Sequence, residues 1–183
     1  MLTRDELIKR ISSSISKLKV VKLSAILKQE QFALRDLIDI TFDEDHGVAF
    51  RAAWLLENLF LQKPEMYADD LPYLISRIND VKDPSCKRHY AKIMMHITAP
   101  KVPVSIQEKL TKTDLEPVVE HLFDWLIDPK ILIAVKVFAA EALFNMRERY
   151  PWIKGELAEQ LRFLMRDGTA AIQTRGKKLL SKL

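Results

Sequence analysis

The residues best suited to chemistry in this chain are one cysteine and four histidines, and their spacing does not build a shared reaction centre. Cys86 lies beside Lys87 and Arg88, whose positive charges can lower the pKa of a thiol. His89 and His96 are seven residues apart on one predicted helix, a rise of about 10 Å, which is too long for two ligands of one metal ion. The sequence therefore predicts no metal site and no paired nucleophile and base.

Short motifs for phosphate binding and acyl transfer do not occur in the sequence. Neither GxxxxGK[ST] nor GxGxxG is present, and no GxSxG run is found. His121 stands alone on its predicted helix, and the acidic run Asp43, Glu44 and Asp45 is better explained as a loop that caps a helix. We therefore predict no catalytic residue and no cofactor.

Composition indicates a folded protein without a membrane span. Hydrophobic residues make up 48% of the chain and charged residues 30%. The longest clean apolar run, 131–135, is far shorter than the ~20 residues of a membrane helix. The first ten residues include Arg4, Asp5 and Glu6 and do not resemble a secretory signal. A single cysteine excludes an internal disulfide, so we predict a cytoplasmic protein.

Apolar residues three and four positions apart predict helices through most of the chain. Thr3 and Glu6 form a capping box for a helix over 3–18, and a second short helix is expected over 20–29. After residue 30 the pattern becomes a repeated unit of helix A, a turn with an aspartate, and helix B. The predicted A helices are 30–41, 67–79, 115–127 and 153–166, and the B helices are 46–62, 84–98, 129–149 and 169–183. The aspartates that we expect to cap the B helices are Asp45, Asp83, Asp128 and Asp167.

The B helices also resemble one another in sequence. AAWLLENLF (52–60) matches AAEALFNMR (139–147), and YAKIMMHI (90–97) fits the same frame. A period of about 40 residues with two helices per unit is typical of HEAT and armadillo arrays, so the chain resembles the HEAT-repeat family. This resemblance implies an all-α, right-handed α-α superhelix of about four helix pairs.

The resemblance also divides the chain. It implies one domain over 1–183, with N-terminal cap helices in 1–29 and repeats in 30–183. An insertion over 99–114 interrupts the repeats, and Ser105 with Glu108 is expected to cap a short extra helix there.

The predicted A helices are net negative and the B helices net positive. The family places B helices on the concave side, which is the usual binding surface of a solenoid. Residues at offsets 0, 3 and 7 of each B helix share one face and predict a concave ridge. The ridge comprises Arg51, Trp54, Asn58, His89, Lys92, His96, Phe138, Glu141, Asn145, Arg175, Lys178 and Lys182. The alternative is a solvated face, with Trp54 and Phe138 packed against the next repeat.

The sequence favours a non-enzymatic scaffold that binds a protein partner on this ridge. The alternative is nucleic-acid binding through a basic concave face, since Lys and Arg release counterions from phosphates. DNA glycosylases for alkylated bases are HEAT-like and place aromatic residues and an aspartate at the lesion. Here Trp54 lies on the predicted inner face and Trp125 and Asp128 at a turn, but the catalytic pattern of that family does not align and the chain is shorter, so the resemblance is architectural only. A small-molecule enzyme with a deep pocket and a helical assembly subunit stay open, and the sequence does not predict an oligomeric state.

Overall fold

The computed structural model describes residues 2–13, 23 and 32–183, which form ten α-helices and no strand. The second predicted helix, 20–29, lies outside these residues apart from Leu23, which is helical and buried. The helices are α1 (Arg4–Ser12), α2 (Leu34–Ile40), α3 (His46–Gln62), α4 (Leu71–Ser76), α5 (Pro84–Ile97), α6 (Val104–Lys112), α7 (Glu116–Ile127), α8 (Ile133–Met146), α9 (Ile153–Met165) and α10 (Ala170–Leu180). The all-α prediction is confirmed.

Four of these helices form a continuous layer. The B helices α3, α5, α8 and α10 each pack against the next one along the chain. The helices α2, α7 and α9 each pack against the B helix that follows, while α1 packs against α2 and α3. One cluster of buried apolar residues runs through the array from Leu7 to Leu179. Stacking therefore gives the helix pairs the shared core that a single pair cannot build.

Two of the predicted aspartate caps are confirmed. Asp45 Oδ1 accepts hydrogen bonds from the backbone N–H groups of Gly47 at 2.7 Å and Val48 at 3.2 Å. Asp83 does the same for the first turn of α5, where Pro84 occupies the first helical position. The carboxylates satisfy donors that the first turn of a helix leaves unpaired.

The predicted caps at Asp128 and Asp167 are wrong. Asp128 follows the end of α7, and its side chain accepts from the N–H of Lys130 at 2.8 Å, so it closes a local turn instead of starting α8. Helix α8 begins later, after Leu132. Thr169 precedes α10 in place of Asp167, without a side-chain cap.

The second A helix is broken into short pieces instead of continuing over 67–79. A 3₁₀ helix spans Pro64–Asp70, α4 follows, and a second 3₁₀ turn spans Ile78–Asp80. Tyr67 leaves the helical region at φ −118° and ψ 15°, and Pro72 has no N–H to donate within α4. The insertion does contain the extra helix, α6, but Pro103 precedes it and no side chain caps it, so the Ser105 and Glu108 cap is wrong.

Two glycines give opposite expectations for substitution by alanine. A Cβ at Gly155, in the first turn of α9, meets nothing within 4 Å, so Gly155→Ala should raise the free energy of unfolding by about 0.5 kcal/mol through backbone entropy. A Cβ at Gly168 would overlap the carbonyl oxygen of Leu164 and lie 2.9 Å from Ile172 Cγ2. Gly168→Ala should therefore lower the free energy of unfolding by roughly 1–3 kcal/mol. Urea denaturation measures the free energy of unfolding of both variants, and equal changes in the two would contradict this prediction.

Candidate functional site

The predicted ridge lies on the B-helix layer, but its members differ in exposure. Lys178 on α10 and Lys182 just after it are exposed, and His89 on α5 is fully buried. The outward orientation predicted for His89 is therefore wrong. The remaining ridge residues are half-buried: Arg51, Trp54, Asn58, Lys92, His96, Phe138, Glu141, Asn145 and Arg175.

His89 is buried because it pairs with a carboxylate that the sequence pattern did not single out. Its Nδ1 lies 2.6 Å from Glu57 Oε2, and Lys92 Nζ donates to Glu57 Oε1 at 2.6 Å. The side chains of Glu57 and Lys92 are 7% and 27% exposed. Burial acts to raise the pKa of Glu57, but the hydrogen bonds from His89 and Lys92 outweigh burial and lower it. We call these three residues, which join α3 to α5, the Glu57 cluster.

Aromatic rings close the other side of His89. Its ring centroid lies 5.3 Å from that of Phe50 and 6.4 Å from that of Trp54, with which it is stacked. Trp54 therefore packs against the next repeat, which accounts for its half-buried state. Asn58 Nδ2 donates to the carbonyl of Trp54 at 2.8 Å, a bond within α3.

Other ridge side chains also cross from one helix to its neighbour. Arg51 Nε donates to the carbonyl oxygen of Ile11 at 3.0 Å and joins α3 to α1. Asn145 Nδ2 donates to the carbonyl of Met95 at 3.1 Å and joins α8 to α5. An ion pair between Arg175 and Glu141 joins α10 to α8. Together with the Glu57 cluster we call these the interrepeat hydrogen bonds.

Two further cations of the B units donate hydrogen bonds to backbone carbonyls. Lys136 Nζ donates to the carbonyl of Leu126 at 2.9 Å, near the end of α7, and burial lowers the pKa of Lys136. Arg149 donates to the carbonyls of Leu110 at 2.7 Å and Thr113 at 2.8 Å, at the end of α6. The last turn of a helix leaves such carbonyls unpaired and attracts cations.

The positive charge that the sequence assigns to the B layer is partly paired with carboxylates, at Lys92 and Arg175, and the end of the layer keeps three exposed lysines. Lys177, Lys178 and Lys182 are exposed, and no described carboxylate lies within ion-pair distance of them. His96 adds little charge, because burial and, less strongly, the charge of Lys92 lower its pKa.

Cys86 is not activated by its basic neighbours; it is a small buried residue near the start of α5. The residue is fully buried, and burial, reinforced by the charge of Asp83, raises the pKa of its thiol to about 12. The amino group of Lys87 lies over the ring of Trp125, 5.8 Å from its centroid. The thiol is thus a small apolar group of the core.

Within the described ranges, no group of three or more His, Cys, Asp or Glu residues is placed to hold a metal ion. None of the described helices is long and apolar enough to cross a membrane. The cavities are surface grooves: one between α5, α6 and α8 has about 350 Å³ and is lined by Thr98, Leu110 and Asn145.

Paired helices, a continuous B layer and one shared core define an α-helical repeat protein of the solenoid class. A family model described as a HEAT repeat domain matches residues 7–183, and the chain belongs to this family. The family predicted from the repeats is confirmed. Neither the curated proteins nor the solved structures include a significant match to the chain.

Proposed function

We propose that the chain is a non-enzymatic scaffold that binds a protein partner across the B-helix layer. HEAT repeats form helical scaffolds that commonly mediate protein interactions. The observation that carries the proposal is the set of interrepeat hydrogen bonds, which fix the ridge side chains before a partner arrives. A preorganised surface loses less conformational entropy on binding, so more of the contact energy appears as affinity.

The positive charge at the end of the B layer indicates that the partner surface is acidic. Lys178 and Lys182 are the exposed members of the ridge, Lys177 is exposed next to them, and residues 168–183 contain no acidic residue. Unpaired lysines attract an acidic surface and accelerate its association. The partner therefore carries an acidic segment that meets α10, while its remaining surface contacts the half-buried ridge.

An affinity capture from native lysate tests this proposal. The Lys178→Glu/Lys182→Glu variant should lose the captured protein, and nuclease treatment should leave the wild-type capture unchanged. Both lysines are exposed, so the fold should survive. The matched control is Lys101→Glu/Lys112→Glu, an equal charge change at exposed positions away from α10, which should retain the partner.

Nucleic acid is the second candidate, and the same three lysines favour it. Lysine releases counterions from phosphates, and each contact makes affinity more sensitive to salt. Against it, Arg51, Lys92 and Arg175 are already bonded within the chain. Material that nuclease removes from the capture would support this candidate. If the Lys178→Glu/Lys182→Glu and Lys101→Glu/Lys112→Glu variants captured equal amounts of partner, the α10 lysines would not be the binding surface for protein or for nucleic acid.

A further inference from the structure

Two adjacent grooves lie at the turns between A and B helices, away from the ridge. The first, which we call the Trp125 groove, has about 590 Å³ and is lined by Lys87, His121 and Trp125. The second, the Phe163 groove, has about 390 Å³ and is lined by Ile133 and Phe163, among others. Pro129 lines both grooves, so they are neighbours.

The Trp125 groove contains polar atoms that the fold leaves without partners. Trp125 is 2% exposed, and its indole N–H finds no acceptor among the described residues. His121 meets the tryptophan ring edge-on at 4.9 Å, and its Nε2 also lacks a described partner. A buried donor without an acceptor is uncommon, and it points to a group supplied from outside.

A cation stands beside these atoms. The amino group of Lys87 lies 5.8 Å from the Trp125 ring centroid, and no described carboxylate forms an ion pair with it. The indole N–H and this ammonium group together favour a ligand oxygen with negative charge. Burial is the main cause that lowers the pKa of His121, so the imidazole is neutral at pH 7 and the charge that attracts the ligand comes from Lys87.

Apolar side chains are unusually exposed in and beside the neighbouring groove. Phe163 is 62% exposed, Leu132 is 50% exposed and Ile133 is 37% exposed. The guanidinium of Arg166 lies over the Phe163 ring at 5.6 Å. Exposed apolar groups that are grouped together and bordered by polar residues mark sites of protein association.

We propose that this surface docks a peptide segment of a partner protein in which one acidic residue stands beside a large apolar residue. The carboxylate of the peptide accepts a hydrogen bond from the indole N–H of Trp125 and forms an ion pair with Lys87. The apolar side chain of the peptide covers Ile133 and Phe163. Two carboxylates, Asp124 and Asp128, also line the Trp125 groove and oppose any anion that enters it. Only a carboxylate held directly by Lys87 and the indole N–H offsets this repulsion, so an acidic run is disfavoured.

The indole N–H signals of the ¹⁵N-labelled full chain report directly on this site. The probes are acetyl-Glu-Phe-amide and its neutral analogue acetyl-Gln-Phe-amide, and the Trp125→Phe variant assigns the Trp125 signal. The glutamate peptide should shift that signal and bind roughly tenfold more tightly than the glutamine peptide, because only it forms charge-assisted bonds. An unmoved Trp125 signal, or equal binding of both peptides, would overturn the proposal.

Three variants separate the contacts. Lys87→Gln should weaken the glutamate peptide roughly tenfold and leave the glutamine peptide unchanged. Phe163→Ser, at an exposed position, should weaken both. Trp152→Phe, at a tryptophan stacked on Phe123 elsewhere, should weaken neither. The Lys178→Glu/Lys182→Glu variant should bind both peptides normally, so failure of this site and failure of the α10 surface are distinguishable.

Discussion

The Glu57→Ala variant should lose about 3–5 kcal/mol of unfolding free energy at pH 7, as expected when one partner of a buried ion pair is removed. The reason lies in what remains behind. His89 is 0% exposed and its Nε2 already lacks a partner among the described residues, so the substitution leaves both ring nitrogens unpaired in the core. Lys92 is 27% exposed and can turn toward water. Urea denaturation measures the loss.

Glu148→Ala provides the matched control. Glu148 also pairs with two cations, Lys154 at 3.0 Å and Arg147 at 3.5 Å, but its side chain is 69% exposed. Exposed pairs contribute at most about 1 kcal/mol. Losses of similar size in the two variants would show that burial does not govern the Glu57 cluster.

The destabilisation by Glu57→Ala should also depend on pH. The folded state lowers the pKa of Glu57 below its ordinary value of 4.5. The ionised carboxylate therefore stabilises the fold above pH 4.5, and this contribution is lost as the pH falls through the lower folded pKa. The difference between wild type and variant should shrink as the pH is lowered from 4.5 towards the folded pKa of Glu57, and a difference that grows would contradict the assignment.

Leu143→Ala should cost about 2–5 kcal/mol, the range for a leucine deleted from a packed core. Leu143 is 0% exposed in α8, which packs against α5, α7, α9 and α10. The cavity therefore opens where several repeats meet. Urea denaturation should show the loss as a lower midpoint.

The control for this variant is Leu132→Ala, the same chemical change at a side chain that is 50% exposed just before α8. Surface substitutions usually change stability by less than about 0.5 kcal/mol. A small effect at Leu143 together with a large one at Leu132 would show that the helix faces are assigned incorrectly.

Helix boundaries could be predicted from sequence where local chemistry marks them. The first B helix was expected over 46–62 and spans His46–Gln62, because Asp45 caps its first turn. The second begins at the expected Pro84 for the same reason. The third begins four residues late, because Asp128 bonds to Lys130 in a turn before the helix. An aspartate predicts a helix cap only if its carboxylate does not already accept a hydrogen bond in a local turn.

The ridge shows the limit of periodicity. The pattern places a side chain on a face, but it does not reveal a partner far away in sequence. Glu57 lies on the apolar side of α3, between Ala53 and Phe60, and pairs with a histidine 32 residues later. A carboxylate at an apolar position was the available signal, because a buried charge requires a partner.

The interrepeat hydrogen bonds have a mechanical consequence. Apolar contacts tolerate sliding, whereas a hydrogen bond to one chosen atom weakens when the donor moves or turns by a small amount. Arg51 joins α1 to the first B helix, and the Glu57 cluster, Asn145 and Arg175 join each B helix to the next. Bending or stretching the solenoid loads these bonds directly. We therefore expect these bonds to resist bending of the array, and the loss of one bond to ease bending mainly between the two helices that it joins.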